Sequence, residues 1–175
     1  RFLRKFTIYL IMTMLVLPTW VVTGLSKAEH AKAAKGGSNI VISEIQVSGL
    51  TTNDEYVELY NPTSSPIDLA SWKLTKKTSS GTEYNLVSSL SGQILPHGYY
   101  LIAHDEFSGI VFPDANYSSV IIANDNSVLL YSNLDVVVDK VGFGTAQDFE
   151  TLQTVNPGSE KSIERFVDNQ AGNYV

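Results

Sequence analysis

The sequence predicts an all-β fold, a two-layer sandwich. Three observations support this prediction. Short segments rich in β-branched and aromatic residues recur along the chain, and turn residues separate them roughly every ten positions. No window shows an apolar 3.6-residue period long enough for a helix. The third observation is size. About 140 residues follow the hydrophobic N-terminal segment, which is enough for one hydrophobic core and too few for two.

The clearest part of this pattern is a strand, a polar corner and a second strand. Residues 55–60 are rich in strand-forming side chains, and Pro62 ends them because proline cannot donate a hydrogen bond to a neighbouring strand. Residues 64–66 supply turn chemistry. Apolar side chains then return over residues 67–74, and we expect Trp72 to fill the core of the sandwich.

The remaining elements follow in order, and eight or nine strands are predicted in all. The other seven cover residues 40–48, 84–90, 99–103, 120–123, 128–131, 136–143 and 162–166. In the first of them, alternation places Val41, Ile45 and Val47 on one face and Ile40 and Ile42 on the other.

Two hairpins and two long loops connect these strands. Residues 76–82 are predicted to form a solvated tip carrying the lysines that follow Lys73, and Asn124-Asp125-Asn126 is predicted to join two strands of a hairpin. Residues 105–116 read as a loop whose apolar side chains dock locally, and residues 145–157 read as an irregular excursion.

The N-terminal segment does not fit the sandwich. Three basic residues, Arg1, Arg4 and Lys5, precede an apolar run over residues 6–22, and Ala31-Lys32-Ala33 offers a small-x-small cleavage site. This order predicts an export signal peptide over residues 1–33, whose apolar part forms a hydrophobic helix, with a mature start at Ala34.

Two alternatives remain open for this leader. Cleavage could instead follow Val22-Thr23-Gly24. The segment could also stay uncleaved as a membrane anchor, because its apolar run of 17 residues is at the lower limit of the ~17–25 residues that a membrane-spanning helix needs. Residues 34–38 then form a flexible linker, and residues 39–175 form the domain.

Charge and cysteine content narrow the function classes. The chain carries a net charge of −6, and removal of residues 1–33 takes away five of its twelve basic residues but one of its eighteen acids, leaving about −10. Such a body repels nucleic acid and anionic lipid, so contact with a membrane is expected only through the N-terminal segment. An exported chain without cysteine fits a bacterial secreted or cell-surface protein.

The order of segments resembles the lamin tail domain, a family found in nuclear lamins and in many exported bacterial proteins. The matching strings, in chain order, are Ile42-Ser43-Glu44-Ile45, Glu55-Tyr56-Val57-Glu58-Leu59-Tyr60-Asn61, Ile67-Asp68-Leu69-Ala70-Ser71-Trp72-Lys73-Leu74, Ile94-Leu95-Pro96-His97-Gly98-Tyr99-Tyr100-Leu101-Ile102-Ala103, Ser127-Val128-Leu129-Leu130-Tyr131, Asp139-Lys140-Val141-Gly142-Phe143-Gly144 and Ser162-Ile163-Glu164-Arg165. The resemblance implies an immunoglobulin-like β-sandwich over residues 39–175 with a binding or spacer role and no catalysis. Its motif residues are Glu44, Glu55, Glu58, Asn61, Asp68, Trp72, Gly98, Gly142 and Arg165.

Glu44 and Glu58 are the strongest candidates for chemistry. If their strands are neighbours, the two carboxylates could bind a cation or raise each other's pKa. The favoured interpretation is structural: each carboxylate accepts hydrogen bonds from backbone N–H groups or from Arg165. The sequence therefore predicts no metal site and no cofactor.

The histidines and serines give weaker signals. His97 lies in a turn, and His104 precedes Asp105 and Glu106 at a strand end, a run that could seed a metal site or a pocket. The serines cluster in turns without a nucleophile elbow. We therefore expect a non-catalytic module that binds a protein or a cell-surface polymer. The alternative is an accessory domain of a larger secreted hydrolase of the nuclease or phosphatase type.

Overall fold

A computed structural model describes residues 39–165, 167–168 and 173–174, and these residues form thirteen β-strands and no α-helix. The strands are β1 Val41–Gln46, β2 Tyr56–Tyr60, β3 Ile67–Asp68, β4 Lys73–Lys77, β5 Glu83–Val87, β6 Gln93–Ile94, β7 Tyr99–His104, β8 Ala115–Tyr117, β9 Ser127–Tyr131, β10 Val137–Gly142, β11 Ser162–Glu164, β12 Val167–Asp168 and β13 Asn173–Tyr174. The predicted leader and linker, residues 1–38, lie outside the described residues. The described part contains no helix of the length and apolarity that crossing a membrane requires.

Two sheets make up the body of the domain. A five-stranded sheet has the order β11-β1-β2-β7-β8, and a four-stranded sheet has the order β10-β9-β4-β5. All pairs within them are antiparallel except β7 with β8. Short pairs, β3-β6 and β12-β13, complete the description. The predicted all-β sandwich is confirmed.

The core lies between the two sheets, and strand alternation creates it. Along β2, Val57 and Leu59 are fully buried, while the alternate side chains, Tyr56, Glu58 and Tyr60, face away from the core. The four-stranded sheet contributes Leu74 and Leu130, and Phe143 is fully buried just beyond β10. Burying apolar area at ~25 cal/mol per Å² is the main stabilising term available to a chain without disulfides.

Trp72 joins this core from an irregular position. The predicted strand over residues 67–74 is interrupted, because β3 ends at Asp68 and β4 begins at Lys73. Ser71 adopts a left-handed backbone with φ of 65°, and the Trp72 N–H donates to the carbonyl of Leu69. This turn directs the indole inward, where it is 8% exposed.

β1 departs from simple alternation. Its register with β2 shifts between Ile42 and Glu44, so Ser43 is an extra residue in a β-bulge. As a result Ile42 and Ile45 both pair with inward residues of β2 and both are buried. The prediction that they lie on opposite faces is wrong, because the bulge reverses the alternation.

The segment after β8 is also different from its prediction. Residues 120–123 form no strand, so the predicted hairpin around Asn124-Asp125-Asn126 is wrong. β9 pairs with β10 and β4 instead. The backbone of this segment is bonded by side chains, since Ile122 N–H donates to Glu55 and Ala123 N–H donates to Asn126. β8, which pairs in parallel with β7, lies partly within the segment predicted to be a loop.

The three clustered lysines do not lie in a solvated tip. Lys73, Lys76 and Lys77 all belong to β4, and Lys76 is buried. The turn itself covers residues 78–82, where the Thr78 N–H donates to the carbonyl of Thr82. The long aliphatic stem of lysine makes such burial possible while the ammonium group reaches a polar or aromatic partner. Here Lys76 Nζ lies 5.3 Å from the centre of the Tyr84 ring.

The position of Trp72 leads to a stability prediction. Replacing Trp72 with Ala should lower the free energy of unfolding by about 3–5 kcal/mol, because it removes a buried indole and leaves a cavity. Urea denaturation followed by circular dichroism measures the change. Leu134→Ala is the matched control, since Leu134 is 80% exposed and should change stability by less than about 0.5 kcal/mol. Equal free energies of unfolding for Trp72→Ala and wild type would contradict the inward position of the indole.

Candidate functional site

A row of carboxylates crosses the outer face of the five-stranded sheet. Glu44 on β1 lies directly opposite Glu58 on β2 and Glu164 on β11. The bulge at Ser43 sets this arrangement, because it turns Glu44 outward next to Glu58. The Ser43 hydroxyl donates to Glu58 Oε1 over 2.7 Å, and the Tyr56 hydroxyl donates to Glu44 Oε1 over 2.5 Å.

The electrostatics of this row are unfavourable in the free protein. Burial raises the pKa of Glu58, and the nearby charges of Glu44 and Glu164 raise it further, while the Ser43 hydroxyl acts in the opposite direction. Like charges directly opposite on adjacent strands are destabilising. The donors to Glu44 and Glu58 are hydroxyl groups, so the expectation of backbone N–H or Arg165 donors is wrong for these side-chain oxygens. No group of three or more metal-ligating side chains that could hold an ion exists among the described residues.

Two tyrosines share this outer face. The rings of Tyr60 and Tyr99 lie 4.9 Å apart between centres, and the Tyr60 hydroxyl lies 3.3 Å from His97 Nδ1. His97 is exposed and has a left-handed backbone with φ of 57° in the turn before β7. The arrangement can present aromatic faces and carboxylate acceptors to a ligand.

The first carboxylate of the Asp54-Glu55 pair holds two loops. Asp54 Oδ1 accepts the Ser108 N–H and Oδ2 accepts the Thr51 N–H, each over 2.8 Å. Hydrogen bonds with the Ser108 side chain, the Ser108 N–H and the Thr51 N–H lower the pKa of Asp54 to about 2. The carboxylate therefore stays ionised and fixes the loop after β7 to the loop before β2.

The second carboxylate is buried between the sheets. Glu55 is fully buried, and its Oε2 accepts the Ile122 N–H over 2.8 Å. Its Oε1 and the buried Tyr117 hydroxyl have no well-formed hydrogen bond among the described residues. Burial raises the pKa of Glu55 to about 7, although the Ile122 N–H, the Tyr117 hydroxyl and the charge of Lys76 all act to lower it.

His104 has a structural position beside this pair. It is buried, and its ring meets the Tyr117 ring edge-on with centres 5.7 Å apart. Its Nδ1 accepts the Glu106 N–H over 3.2 Å and lies 3.2 Å from Asp105. The run His104-Asp105-Glu106 therefore folds back on itself and does not converge with His97, which lies before the other end of β7.

Arg165 joins the two sheets at the opposite margin. Its Nη2 lies 3.0 Å from Asp139 Oδ1, its Nη1 lies 3.2 Å from Glu150, and its Nε donates to the Ile42 carbonyl. Asp139 also accepts the Ile42 N–H over 2.6 Å. Burial raises the pKa of Asp139 to about 6, and the Arg165 charge opposes that rise.

A groove of about 490 Å³ lies beside this cluster. Its lining includes Ile45, Val141, Leu152, Ile163 and Arg165, so its walls are mainly apolar. The Ser43 hydroxyl lines this groove and donates to Glu58, no histidine lies among the lining residues, and the acids of the lining include Glu150, the partner of Arg165.

The other motif residues support the backbone. The buried Asn61 amide donates to the carbonyls of Ser65, Ile94 and Leu95, and its oxygen accepts the Thr63 N–H. Asp68 accepts the N–H of Ala70 and so shapes the turn that precedes Trp72.

Two motif glycines lie where the chain approaches itself. A Cβ at Gly142 would be 2.5 Å from the Asp148 carbonyl oxygen, and one at Gly98 would be 3.0 Å from the Leu95 carbonyl oxygen. Gly98 also bonds directly to the backbone at Asn61, whose N–H donates to its carbonyl. Both glycines therefore permit close packing of backbone.

Several residues of these clusters were missed by the sequence interpretation. Asp54, Lys76 and Tyr117 have no motif that marks them as buried polar partners, and Asp139 was noted only as part of a string that matches the family. For Asp54 the sequence gives a weak signal: the residue directly follows the turn-forming residues 49–53, and aspartate side chains near turns often accept hydrogen bonds from backbone N–H groups. For Tyr117 and Lys76 the contacts are between distant parts of the chain, and no local signal exists.

Asn61 gives a prediction about these backbone contacts. Asn61→Ala should lower the free energy of unfolding by about 1–3 kcal/mol, because three carbonyls lose a donor at a buried site. Chemical denaturation measures the loss. Asn85→Ala is the control, since Asn85 is exposed on β5 and should change stability little. A loss no greater than that of the control would show that water replaces the amide without cost.

Comparison with known proteins is consistent with this architecture. No curated protein matches the chain. The family model for the Lamin Tail Domain matches residues 33–145, which is more than half of the chain. This family has an immunoglobulin-like fold and is generally non-catalytic, in line with the structural use of the motif residues. The chain belongs to the Lamin Tail Domain family.

Proposed function

We propose that this chain is an exported, non-catalytic module that binds a protein or a cell-surface polymer through its loops and sheet margins. The observation that carries the proposal is how its buried polar groups are used. Asp54, Glu55, Asn61 and Asp139 all bond to backbone groups of other segments. Side chains used in this way hold loops in place and are not positioned to act on a substrate.

Hydrolytic chemistry would need a different arrangement. A nucleophile requires a base within hydrogen-bond reach and a third group that orients the base. The partners of His104 are its own neighbours and the Tyr117 ring. The groups near His97 are Tyr60 and solvent. Neither histidine is hydrogen-bonded to a serine among the described contacts.

The loop between β7 and β8 supports a contact role. Phe107 packs edge-on against Tyr56, with ring centres 5.8 Å apart, and Asp54 holds the backbone at Ser108. The tip of the same loop points into solvent, with Ile110 99% and Phe112 94% exposed. The expectation that the apolar side chains of this loop dock locally is therefore right for Phe107 and wrong for the tip. Exposed apolar groups on an anchored base are typical of an interaction surface.

Charge restricts the class of partner. The body is acidic, and the outer face of the five-stranded sheet presents Glu44, Glu58 and Glu164 in one row. Such a face repels polyanions, so nucleic acid is not proposed as a partner. The basic start and apolar run of residues 1–22 support export to the cell surface or beyond it in a bacterium.

A second candidate function is kept because of the family resemblance. Bacterial modules of this kind are often joined to secreted nucleases or phosphatases, so this domain could position substrate for such a partner domain. The full-length gene product separates the two candidates, since a catalytic domain in the same product supports the accessory role.

Export gives a direct prediction. When the full chain is expressed in a bacterial host, the secreted or surface form should begin at Ala34, because Ala31-Lys32-Ala33 fits the small-x-small rule for cleavage. Mass spectrometry of the N-terminal peptide identifies the first residue. Ala33→Glu should block this cleavage, while Ala34→Glu should affect it less. A chain that retains residues 1–33 at the membrane would support the anchor instead, and cytoplasmic retention would contradict export.

Binding gives a second prediction. The processed protein that begins at Ala34 should bind saturably to isolated cell envelopes of the host, and the double variant Ile110→Ser/Phe112→Ser should bind at least about tenfold more weakly, because ~1.4 kcal/mol of lost contact is a factor of ten. Leu134→Ser/Leu152→Ser is the matched control, since both leucines are exposed elsewhere. A sedimentation assay with labelled protein measures both.

Two results would contradict the proposal. Equal binding by both double variants would exclude the loop tip as the contact. Turnover of phosphodiester, phosphomonoester or ester substrates by the wild-type chain, abolished by His104→Ala in a folded variant, would show that the module is an enzyme.

A further inference from the structure

The groove of about 490 Å³ lies beside Arg165, at the margin where β11 and β10 form the outermost strands of the two main sheets. Both strands line it, together with residues 150–154. Its volume is within the ~300–1,000 Å³ that is typical of ligand pockets. Apolar side chains of its walls include Val141, Leu152 and Ile163, and Leu152 is 82% exposed. The margin therefore combines an apolar groove with the edge of a sheet.

The edge of β11 that faces away from β1 carries unpaired backbone groups. The Arg165 N–H donates to the Ser43 carbonyl over 2.8 Å, so the backbone of Arg165 is directed toward β1. Successive residues of an antiparallel strand direct their N–H and C=O groups to opposite sides. Ser162 and Glu164 therefore direct theirs to the outer edge, and in the described part of the chain β1 is the only strand that pairs with β11. Such an edge can accept an added strand.

The side chains of β11 alternate between two surroundings. Glu164 is exposed and lies opposite Glu44, which places it in the carboxylate row on the outer face. Ile163 lies opposite the buried Ile45 and packs against the core. In an added antiparallel strand, the residue opposite Glu164 would share the outer face, and its neighbour would face the apolar groove. Cross-strand pairs then favour a cationic residue at the first position and an apolar residue at the second.

The charges around the groove also favour a cationic partner. The two cationic side chains of its described lining are already paired within the chain: Lys140 Nζ lies 2.5 Å from Asp148, and Arg165 pairs with two acids. Among the described contacts Glu164 has no ion pair, and Glu44 accepts only from a tyrosine hydroxyl. A cationic side chain beside Glu164 would offset the repulsion between carboxylates that lie directly opposite each other.

We propose that this margin binds an extended peptide of alternating basic and apolar residues, which adds to the edge of β11 as an antiparallel strand. The basic side chains pair with the carboxylate row, and the apolar side chains enter the groove. This inference rests on the proposed binding function and names the partner of one sheet margin as an extended segment of another protein. The alternation along β11 favours a peptide over a polysaccharide, because a polysaccharide has no side chains that alternate between two faces.

Fluorescence anisotropy with labelled synthetic peptides tests the proposal on the processed protein that begins at Ala34. The peptide Ser-Lys-Val-Lys-Val-Lys-Ser should bind saturably. The peptide Ser-Lys-Lys-Lys-Val-Val-Ser has the same composition and charge without the alternation, and it should bind about fivefold more weakly or worse, because its cross-strand pairs are lost.

Backbone methylation of the alternating peptide gives a test that charge does not influence. A residue opposite Glu164 or Ser162 exchanges both backbone hydrogen bonds with the edge, whereas its neighbours direct their N–H groups to the other side. Methylation of the lysine backbone nitrogens should therefore weaken binding at least about tenfold. Methylation of the valine backbone nitrogens should change it by less than about twofold, since those nitrogens donate nothing to β11.

Charge reversal on the protein gives a further test. Glu164→Lys should weaken binding of the lysine–valine peptide about fivefold or more and should strengthen binding of Ser-Glu-Val-Glu-Val-Glu-Ser. Glu160→Lys is the matched control, because Glu160 is exposed, carries the same charge and does not line the groove. At physiological salt it should change either affinity by less than about twofold, because charges beyond the Debye length are screened.

Several results would overturn the proposal. Absence of saturable binding, or equal binding of the alternating and non-alternating peptides, would remove the evidence for an added strand. Equal losses on lysine and valine methylation would show that charge alone attracts the peptide. Self-association of the protein alone, measured by analytical ultracentrifugation and lost in Glu164→Lys, would mean that a second copy occupies the edge.

The loop tip provides a separate control. The double variant Ile110→Ser/Phe112→Ser should bind the alternating peptide as wild type does, because the tip does not line the groove. Failure of the envelope-binding proposal at the loop tip is therefore distinguishable from failure of peptide binding at this margin. Loss of peptide binding in that variant would place the peptide at the tip and overturn the assignment to β11.

Discussion

The cost of burying a carboxylate shapes both margins of this sandwich. At one margin Asp139 meets Arg165 and the Ile42 N–H, and at the other Glu55 meets the Ile122 N–H. An uncompensated charge in such a site would cost several kcal/mol, so each carboxylate fixes the segment that supplies its donor. The two margins differ in kind, because a guanidinium group balances Asp139, whereas a backbone donor, the Tyr117 hydroxyl and a more distant ammonium group face Glu55.

The apolar core provides most of the stability of the fold, and the polar contacts determine how its loops are placed. Without disulfides, burial of side chains such as Leu59, Leu74 and Phe143 between the sheets must exceed the conformational entropy lost on folding. The hydrogen bonds that Asn61 donates and those that Asp54 accepts add little net energy each. Their effect is specificity: they decide which loop lies where, because any other arrangement would leave buried carbonyl or N–H groups without partners.

Sequence patterns predicted the sandwich because its strands repeat a two-residue period that any reader can follow. They failed where a single residue breaks that period. The bulge at Ser43 reverses the alternation of β1, and the left-handed turn at Ser71 interrupts the predicted strand over residues 67–74, although Trp72 lies in the core as predicted. Contacts between distant segments were beyond local patterns altogether. The burial of Lys76 and the bond from Ile122 to Glu55 depend on the packing of two sheets.

The distribution of polar groups also indicates how the same fold can bind different partners. Inward carboxylates are committed to backbone donors, so substitution there would disturb the fold. Outward side chains make few contacts with the rest of the fold: the loop tip at Ile110 and Phe112 is almost fully exposed, and Tyr99 is mostly exposed. Recognition can therefore change at the loops and on the outer face while the margins keep the same bonds. A binding role on a constant framework follows from this separation more readily than a catalytic one, which needs inward and outward groups to converge.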